Sequence, residues 1–76
     1  MNILAYDNNV YLVNLDKNNE DVYIVNIKQG VIQGYDNIHK IMRFGNYSIF
    51  DNDKLTNKLK DKMTDILREN GIGSEK

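Results

Sequence analysis

Few residues in this chain of 76 could take part in acid–base or nucleophilic chemistry. His39 is the single histidine and the only strong general-base candidate near neutral pH. There is no cysteine, and the two serines, Ser48 and Ser74, do not stand in a nucleophile-elbow sequence. Because no base, nucleophile and orienting group converge, we predict a non-enzymatic protein without a cofactor, in which His39 is a surface or helix-face residue.

Two groups of carboxylates raise the question of a cation site. One lies in residues 16–21 and the other in residues 51–53. A calcium loop of the EF-hand type that begins at residue 16 needs glycine at its sixth position and glutamate at its twelfth, where this chain has Asp21 and Ile27. Turn solvation and helix capping are the simpler interpretation of both groups, and we predict no metal site.

A group of lysines lies early in the last predicted helix: Lys54, Lys58, Lys60 and Lys62. A cation near a helix N-terminus opposes the helix dipole and lowers stability by about 0.3–1 kcal/mol. This cost suggests that the lysines contact an anionic partner. Acidic residues on the same exposed side dilute the positive potential, so a solvated mixed-charge face is the favoured interpretation. If the chain is instead a nucleic-acid-binding module, the contacting residues are Lys40, Arg43, Lys54, Lys58 and Lys62.

Composition places these groups on one small globular domain. Hydrophobic residues make up 41% of the chain and charged residues 28%, within the range of folded proteins. The net charge of −1 gives no overall attraction to nucleic acid or to an anionic membrane. No apolar run approaches the roughly 20 residues that span a bilayer, and no signal peptide follows Met1. We therefore expect a cytoplasmic protein without a membrane partner.

The strongest signal for secondary structure is a pattern that occurs twice, VYLVNL at residues 10–15 and VYIVNI at residues 22–27. Two β-branched and aromatic runs separated by a polar segment predict a β-hairpin. To place both apolar triplets on one face, odd-numbered residues must oppose odd-numbered ones. The register centred on Asn19 satisfies this condition and pairs Leu15 with Tyr23 and Val13 with Val25.

Turn residues predict a further hairpin on each side of this one. Before it, residues 7–9 fit a three-residue loop with Asn9 in the left-handed region, which pairs Tyr6 with Val10, Leu4 with Leu12 and Ile3 with Val13. After it, Gly30 supplies a positive φ. The second register pairs Ile27 with Val31 and Tyr23 with Tyr35, and puts Gly34 beside Ile24, where a glycine within a strand marks a bulge, a bend or a close approach.

Residues 36–46 have two interpretations. One is a short helix capped by Asp36, with Gly45 just beyond its end. The other is a strand over residues 41–44 that returns through a Gly45-Asn46 turn. Residues 47–50 are extended in both.

The last element is a helix with an apolar stripe, capped by Asp51 or Asp53 and stopped by Asn70-Gly71. The stripe consists of Leu55, Leu59, Met63, Ile66 and Leu67. The predicted fold is thus α+β in a single domain over residues 1–76. It has a four- to five-stranded antiparallel meander sheet over about residues 2–35 and 47–50, a short helix over about 37–44, and a C-terminal amphipathic helix over about 53–70 that packs on one sheet face. Residues 73–76 are expected to fray.

A single helix cannot cover both faces of such a sheet, so the even-numbered face needs another cover. That face carries Leu4, Tyr6, Val10, Leu12, Val22, Ile24 and Ile32. The cover could be residues 36–50, barrel closure, a homodimer or a partner protein. Tyrosine is favoured at interface hot spots and supplies five of the seven aromatic residues. The predicted protein-interface residues are Leu4, Tyr6, Val10, Leu12, Asn14, Ile24, Asn26, Tyr35 and Tyr47.

Two functional hypotheses follow. The first is a protein-interaction protein, in its most concrete form an accessory or inhibitory protein of a phage or mobile element that blocks a host enzyme or defence nuclease. The second is a small RNA- or DNA-binding module. The order of strands followed by a C-terminal helix resembles, in topology alone, the dimeric carbon-storage-regulator type of RNA-binding protein and SH3-like barrels. The basic and glycine-containing motifs with which those proteins hold nucleic acid do not occur in this sequence.

Overall fold

The computed structural model describes residues 1–73 and has the predicted α+β architecture. A five-stranded antiparallel sheet is followed by one long helix, with a short helix between the fourth and fifth strands. The strands are β1 (Asn2–Asp7), β2 (Val10–Asn14), β3 (Asp21–Asn26), β4 (Val31–Asn37) and β5 (Ser48–Ile49). The helices are α1 (Ile38–Arg43) and α2 (Asn57–Glu69), and a 3₁₀ turn spans Asn52–Lys54.

The first hairpin has a tighter loop than predicted. Asp7 pairs with Val10, so the loop contains only two residues, and Asn8 rather than Asn9 has the positive φ, 56°. Tyr6 therefore pairs with Tyr11, and the predicted pairing of Tyr6 with Val10 is wrong. The predicted pairing of Ile3 with Val13 is confirmed, because a bulge at Leu4 absorbs the one-residue difference.

The central hairpin has the predicted parity but a register that differs by two residues. Val13 pairs with Tyr23, and Tyr11 pairs with Val25. The predicted pairs of Val13 with Val25 and of Leu15 with Tyr23 are wrong. The connection between the strands explains the difference. There the Asn14 Nδ2 donates to the Asn19 carbonyl oxygen over 2.8 Å, and β2 ends at Asn14, so Leu15 is no longer part of the strand.

The third hairpin confirms the pairing of Tyr23 with Tyr35 and of Ile24 with Gly34. Gly30 has the predicted positive φ, 72°. Nearer the loop, Val31 pairs with Asn26 and not with Ile27, so the register changes by one residue. A bulge directly before Gly34 accommodates the change, and Gln33 is its unpaired residue.

The short helix forms, and the alternative hairpin over residues 41–50 does not. Its N-cap is Asn37 and not Asp36, because the Asn37 Oδ1 accepts the His39 N–H over 2.9 Å. The sheet order is β4-β3-β2-β1-β5, so α1 and the following residues carry the chain from one edge of the sheet to the other. There β5 pairs with β1, through Ala5 with Ile49 and Tyr6 with Ser48.

The long helix begins later than predicted. Asp51 caps the 3₁₀ turn, and Thr56 caps α2 by accepting the Leu59 N–H over 3.1 Å. Leu55 thus precedes the helix, although it still packs against the core. The predicted stop is confirmed, with Asn70 as the C-cap and Gly71 at a positive φ of 75°.

Each face of the sheet has its own core. On the face under α2, here called the α2 face, the buried residues are Ile3, Val13, Val25, Met63, Ile66 and Leu67. On the opposite face, here called the α1 face, they are Ala5, Leu12 and Val22. The half-buried residues packed against this second core are Leu4, Ile24, Ile38, Ile41, Met42 and Tyr47. Of the covers considered from the sequence, residues 36–50 are the one that the fold uses.

No helix within residues 1–73 is long and apolar enough to cross a bilayer. Residues 73–76 are predicted to fray, and residues 74–76 of this range lie outside the described residues.

Candidate protein-interaction surface

The residues predicted to form an interface do not form one surface. Leu12 and Asn14 are buried, so neither side chain can reach a partner while the fold is intact. Leu4, Ile24 and Tyr47 pack against the α1-face core and are half-buried. The sequence left open what covers the even-numbered face. In the structure this face is largely closed by the chain itself.

Tyr6 lies on the α2 face, opposite to its predicted position. Its ring stacks on that of Tyr11 at a centroid distance of 5.9 Å and meets Phe50 edge-on at 5.8 Å. The bulge at Leu4 is the cause, because one extra residue reverses the side to which all later side chains of β1 point. The bulge in β4 has the same effect on Ile32, which packs against the α2-face core instead of the opposite one.

The remaining predicted residues lie at the margins of the sheet. Asn26 is the last residue of β3, where its Oδ1 accepts the Gln29 N–H over 2.9 Å, and it pairs with Val10, the first residue of β2. Tyr35 is 51% exposed on β4 and packs against Tyr23 at a ring-centroid distance of 4.5 Å. Of the nine predicted residues, Tyr35 is therefore one that presents a large aromatic surface to solvent.

The chain segment that runs from the end of α1 into β5 holds an apolar surface, of which the sequence prediction named only Tyr47. Phe44 is 80% and Ile49 is 76% exposed, more than any other large apolar residue within residues 1–73. Between them, the ring of Tyr47 lies over Gly45, where an added Cβ would overlap it. We call residues 44–49 the 44–49 surface. Phe44 was the available signal in the sequence. It directly follows the short helix, so it need not lie on the helix face that packs inward.

A shallow groove of about 310 Å³ adjoins this surface. It is lined by Asp36, Lys40, Ile41, Phe44, Gly45 and Tyr47. Asp36 belongs to β4 and Lys40 to α1, and the Lys40 Nζ lies 3.8 Å from the Asp36 Oδ1. The groove therefore links the end of the outer strand to the exposed Phe44, and both apolar and charged residues line it.

The basic residues proposed for nucleic-acid binding are divided between two parts of the molecule. Lys40 and Arg43 belong to α1, which covers one face of the sheet, whereas Lys58 and Lys62 belong to α2, which covers the other. Lys54 lies in the 3₁₀ turn before α2. A single continuous basic surface made of all five residues does not exist in this fold.

Of the side chains considered for catalysis, His39 and Ser48 lie within the described residues, and both are exposed. The His39 Nε2 lies 3.3 Å from the Glu20 Oε2, and both side chains face solvent. Within residues 1–73, no group of three or more His, Asp or Glu side chains is placed to hold a metal ion. The chain has no significant match among protein-family models, curated proteins or solved structures.

Proposed function

We propose that this chain is a cytoplasmic, non-enzymatic protein that binds another protein through the 44–49 surface. The exposure of Phe44 and Ile49 carries the proposal. Scattered exposed apolar residues are ordinary, but here the two most exposed ones of residues 1–73 flank one short segment, and Phe44 also lines a groove. Aromatic and aliphatic side chains that protrude beside a pocket are typical anchors of a protein interface.

The internal closure of both sheet faces supports this location. Leu12, Val22 and Ala5 are fully buried by α1 and Tyr47, so the sheet itself has no large apolar face to offer. A partner that binds through apolar contacts then finds them on the 44–49 surface, which lies beside α1, and not on a sheet face. In its most concrete form, the protein is an accessory or inhibitory protein of a phage or mobile element, and the partner is a host enzyme or defence nuclease. Small size and cysteine-free composition support that form.

The test is affinity capture with matched variants. The wild-type chain, the double variant Phe44→Ser/Ile49→Ser and the control Leu15→Ser are immobilised and exposed to lysate of the native host. Leu15 is 45% exposed in a separate cleft beside α2, so its replacement removes exposed apolar surface away from the 44–49 surface. We expect a protein that the wild type and the control retain and the double variant loses. Equal retention by all three chains would contradict the proposed surface.

A further inference from the structure

The end of α2 carries the one Asn-Gly pair of this sequence. The chain has twelve asparagines, and Asn70 alone is followed by a glycine, Gly71. Both residues are exposed to solvent. Asparagine is a thermolabile residue, and a glycine after it favours loss of the side-chain amide, because glycine has no Cβ to shield its own backbone nitrogen. The pair is therefore a candidate site of spontaneous chemical modification.

The reaction is an intramolecular acyl transfer followed by hydrolysis. The Gly71 backbone nitrogen gives up its proton to solvent and forms a bond to the Asn70 Cγ. The Cγ–Nδ2 bond breaks, and Nδ2 takes up a proton and leaves as ammonia. Water then opens the resulting succinimide ring at one of its two carbonyl carbons. The product is either aspartate or isoaspartate, in which the main chain continues through the side-chain carbon.

The folded cap of α2 keeps the two reacting groups apart. The Gly71 N–H donates to the Arg68 carbonyl oxygen over 2.9 Å. The Asn70 Nδ2 donates to the Ile66 carbonyl oxygen over 2.8 Å. Ring closure also needs the Gly71 nitrogen eclipsed with the Asn70 Cβ, whereas at the Asn70 ψ of 12° it is turned well away from that atom. Attack thus requires the last turn to open, as helix ends do readily.

The same cap directs the chain from α2 back onto the core. In a Schellman arrangement, the Ile72 N–H donates to the Leu67 carbonyl oxygen over 2.9 Å. Leu67 is buried in the α2-face core, and Ile72 packs against that core. Isoaspartate at position 70 would lengthen the main chain by one carbon within this motif. Either acid would replace the donor to Ile66 by a negative charge beside the last carbonyl groups of the helix, where it is destabilising.

We propose that Asn70 is a site of spontaneous deamidation, that the intact cap of α2 slows the reaction, and that the acid formed loosens the end of α2. Because ammonia is lost, the change runs in one direction. The inference is independent of the proposed function, since Asn70 ends α2 whereas the 44–49 surface lies beside α1.

The first test follows the side-chain amide by mass spectrometry. The whole chain is incubated in its folded state and in urea that unfolds it, at one pH and temperature, and is then cleaved with trypsin. Cleavage after Arg68 releases residues 69–76, in which Asn70 is the sole asparagine. We expect Asn70 to react first of all the asparagines in urea, and at least about fivefold more slowly in the folded chain. A faster loss at another asparagine in urea, or equal rates at Asn70 in both states, would overturn the proposal.

A variant of the attacking residue tests the chemistry apart from the fold. In urea, Gly71→Val should slow the loss of the Asn70 amide at least about fivefold, because the branched side chain crowds the backbone nitrogen. An unchanged rate would show that the Gly71 nitrogen is not the attacking group.

The consequence for α2 is tested by the same change at its two ends. Asn70→Asp imitates one product, and the control Asn57→Asp puts an acid at the first residue of the helix, where the helix dipole favours it. We expect Asn70→Asp to lower the melting temperature by about 4–8 °C and to speed amide exchange of Ile72, and Asn57→Asp to keep or raise the melting temperature. Wild-type values for Asn70→Asp, or an equal loss in both variants, would overturn the loosening.

Discussion

The side-chain amide of Asn52 pairs with the backbone of Ile3 in both directions. Its Nδ2 donates to the Ile3 carbonyl oxygen over 2.7 Å, and its Oδ1 accepts the Ile3 N–H over 3.3 Å. This contact replaces a strand pair just beyond the end of β5, beside the bulge of β1. One side chain thereby extends the pairing of β1 beyond the two residues of β5.

We expect Asn52→Ala to lower the free energy of unfolding by about 1–3 kcal/mol, because two backbone groups of the buried Ile3 lose their partners. For a domain of this size, the melting temperature should fall by about 4–8 °C per kcal/mol. Asn18→Ala is the control, since Asn18 is exposed and engages its backbone N–H rather than its side chain. Equal thermal midpoints for the two variants would contradict the role of Asn52.

Two threonines of the last helix region should respond differently to the same change. Thr56 accepts the Leu59 N–H over 3.1 Å as the N-cap, so Thr56→Ala should cost about 1 kcal/mol. Thr64 lies within α2 and donates to the Lys60 carbonyl oxygen over 2.8 Å, which is already a helical acceptor. Thr64→Ala should be nearly neutral, because alanine has the higher helix propensity. Urea unfolding measures both, and a larger loss at Thr64 would contradict the assigned helix start.

Gly45 should be intolerant of alanine for a steric reason. An added Cβ would overlap the ring of Tyr47, which packs against the α1-face core. We expect Gly45→Ala to cost about 1–3 kcal/mol and to weaken partner capture, because the ring must move within the 44–49 surface.

The control for this prediction is Gly34→Ala, whose Cβ would meet the Ile24 Cδ1 at 3.4 Å, an ordinary contact. Alanine within a strand is also the more favourable residue, so stability should hold or rise slightly. If both variants unfold at the same urea concentration, the position of the Tyr47 ring is not what fixes Gly45.

The elements of this fold could be predicted because their signals are local. Alternating apolar residues, the glycine at position 30 and the Asn70-Gly71 stop are each read from a few neighbouring residues, and each is confirmed. The parity of the central hairpin is also fixed by its two apolar triplets. These features need no knowledge of distant parts of the chain.

The registers and the surface could not be predicted, because they depend on single residues and on distant contacts. One extra residue at Leu4 and one at Gln33 moved Tyr6 and Ile32 to the α2 face. The cover of the opposite face depends on where α1 crosses the sheet, which no local pattern specifies. The candidate interface changed for the same reason, from the sheet face to the 44–49 surface.

The positions of the basic residues lead to opposite expectations for two charge reversals. Lys40→Glu/Arg43→Glu acts next to the groove and should weaken partner capture by at least about tenfold, because it breaks the Lys40–Asp36 contact and adds two negative charges beside the 44–49 surface. The triple variant at the start of the last helix region, with glutamate at Lys54, Lys58 and Lys62, should change capture by less than about twofold. The reverse order, with steep weakening by added salt, would favour a nucleic-acid contact at that region.

The most direct test of the proposed interaction surface is an amide hydrogen-exchange footprint of the chain with and without its captured partner. We expect the partner to slow exchange in residues 41–49, because the 44–49 surface becomes covered. The amides of α2 should exchange at the same rate in both states. Protection confined to α2 or to the β1–β2 hairpin, with residues 41–49 unchanged, would contradict the proposed surface.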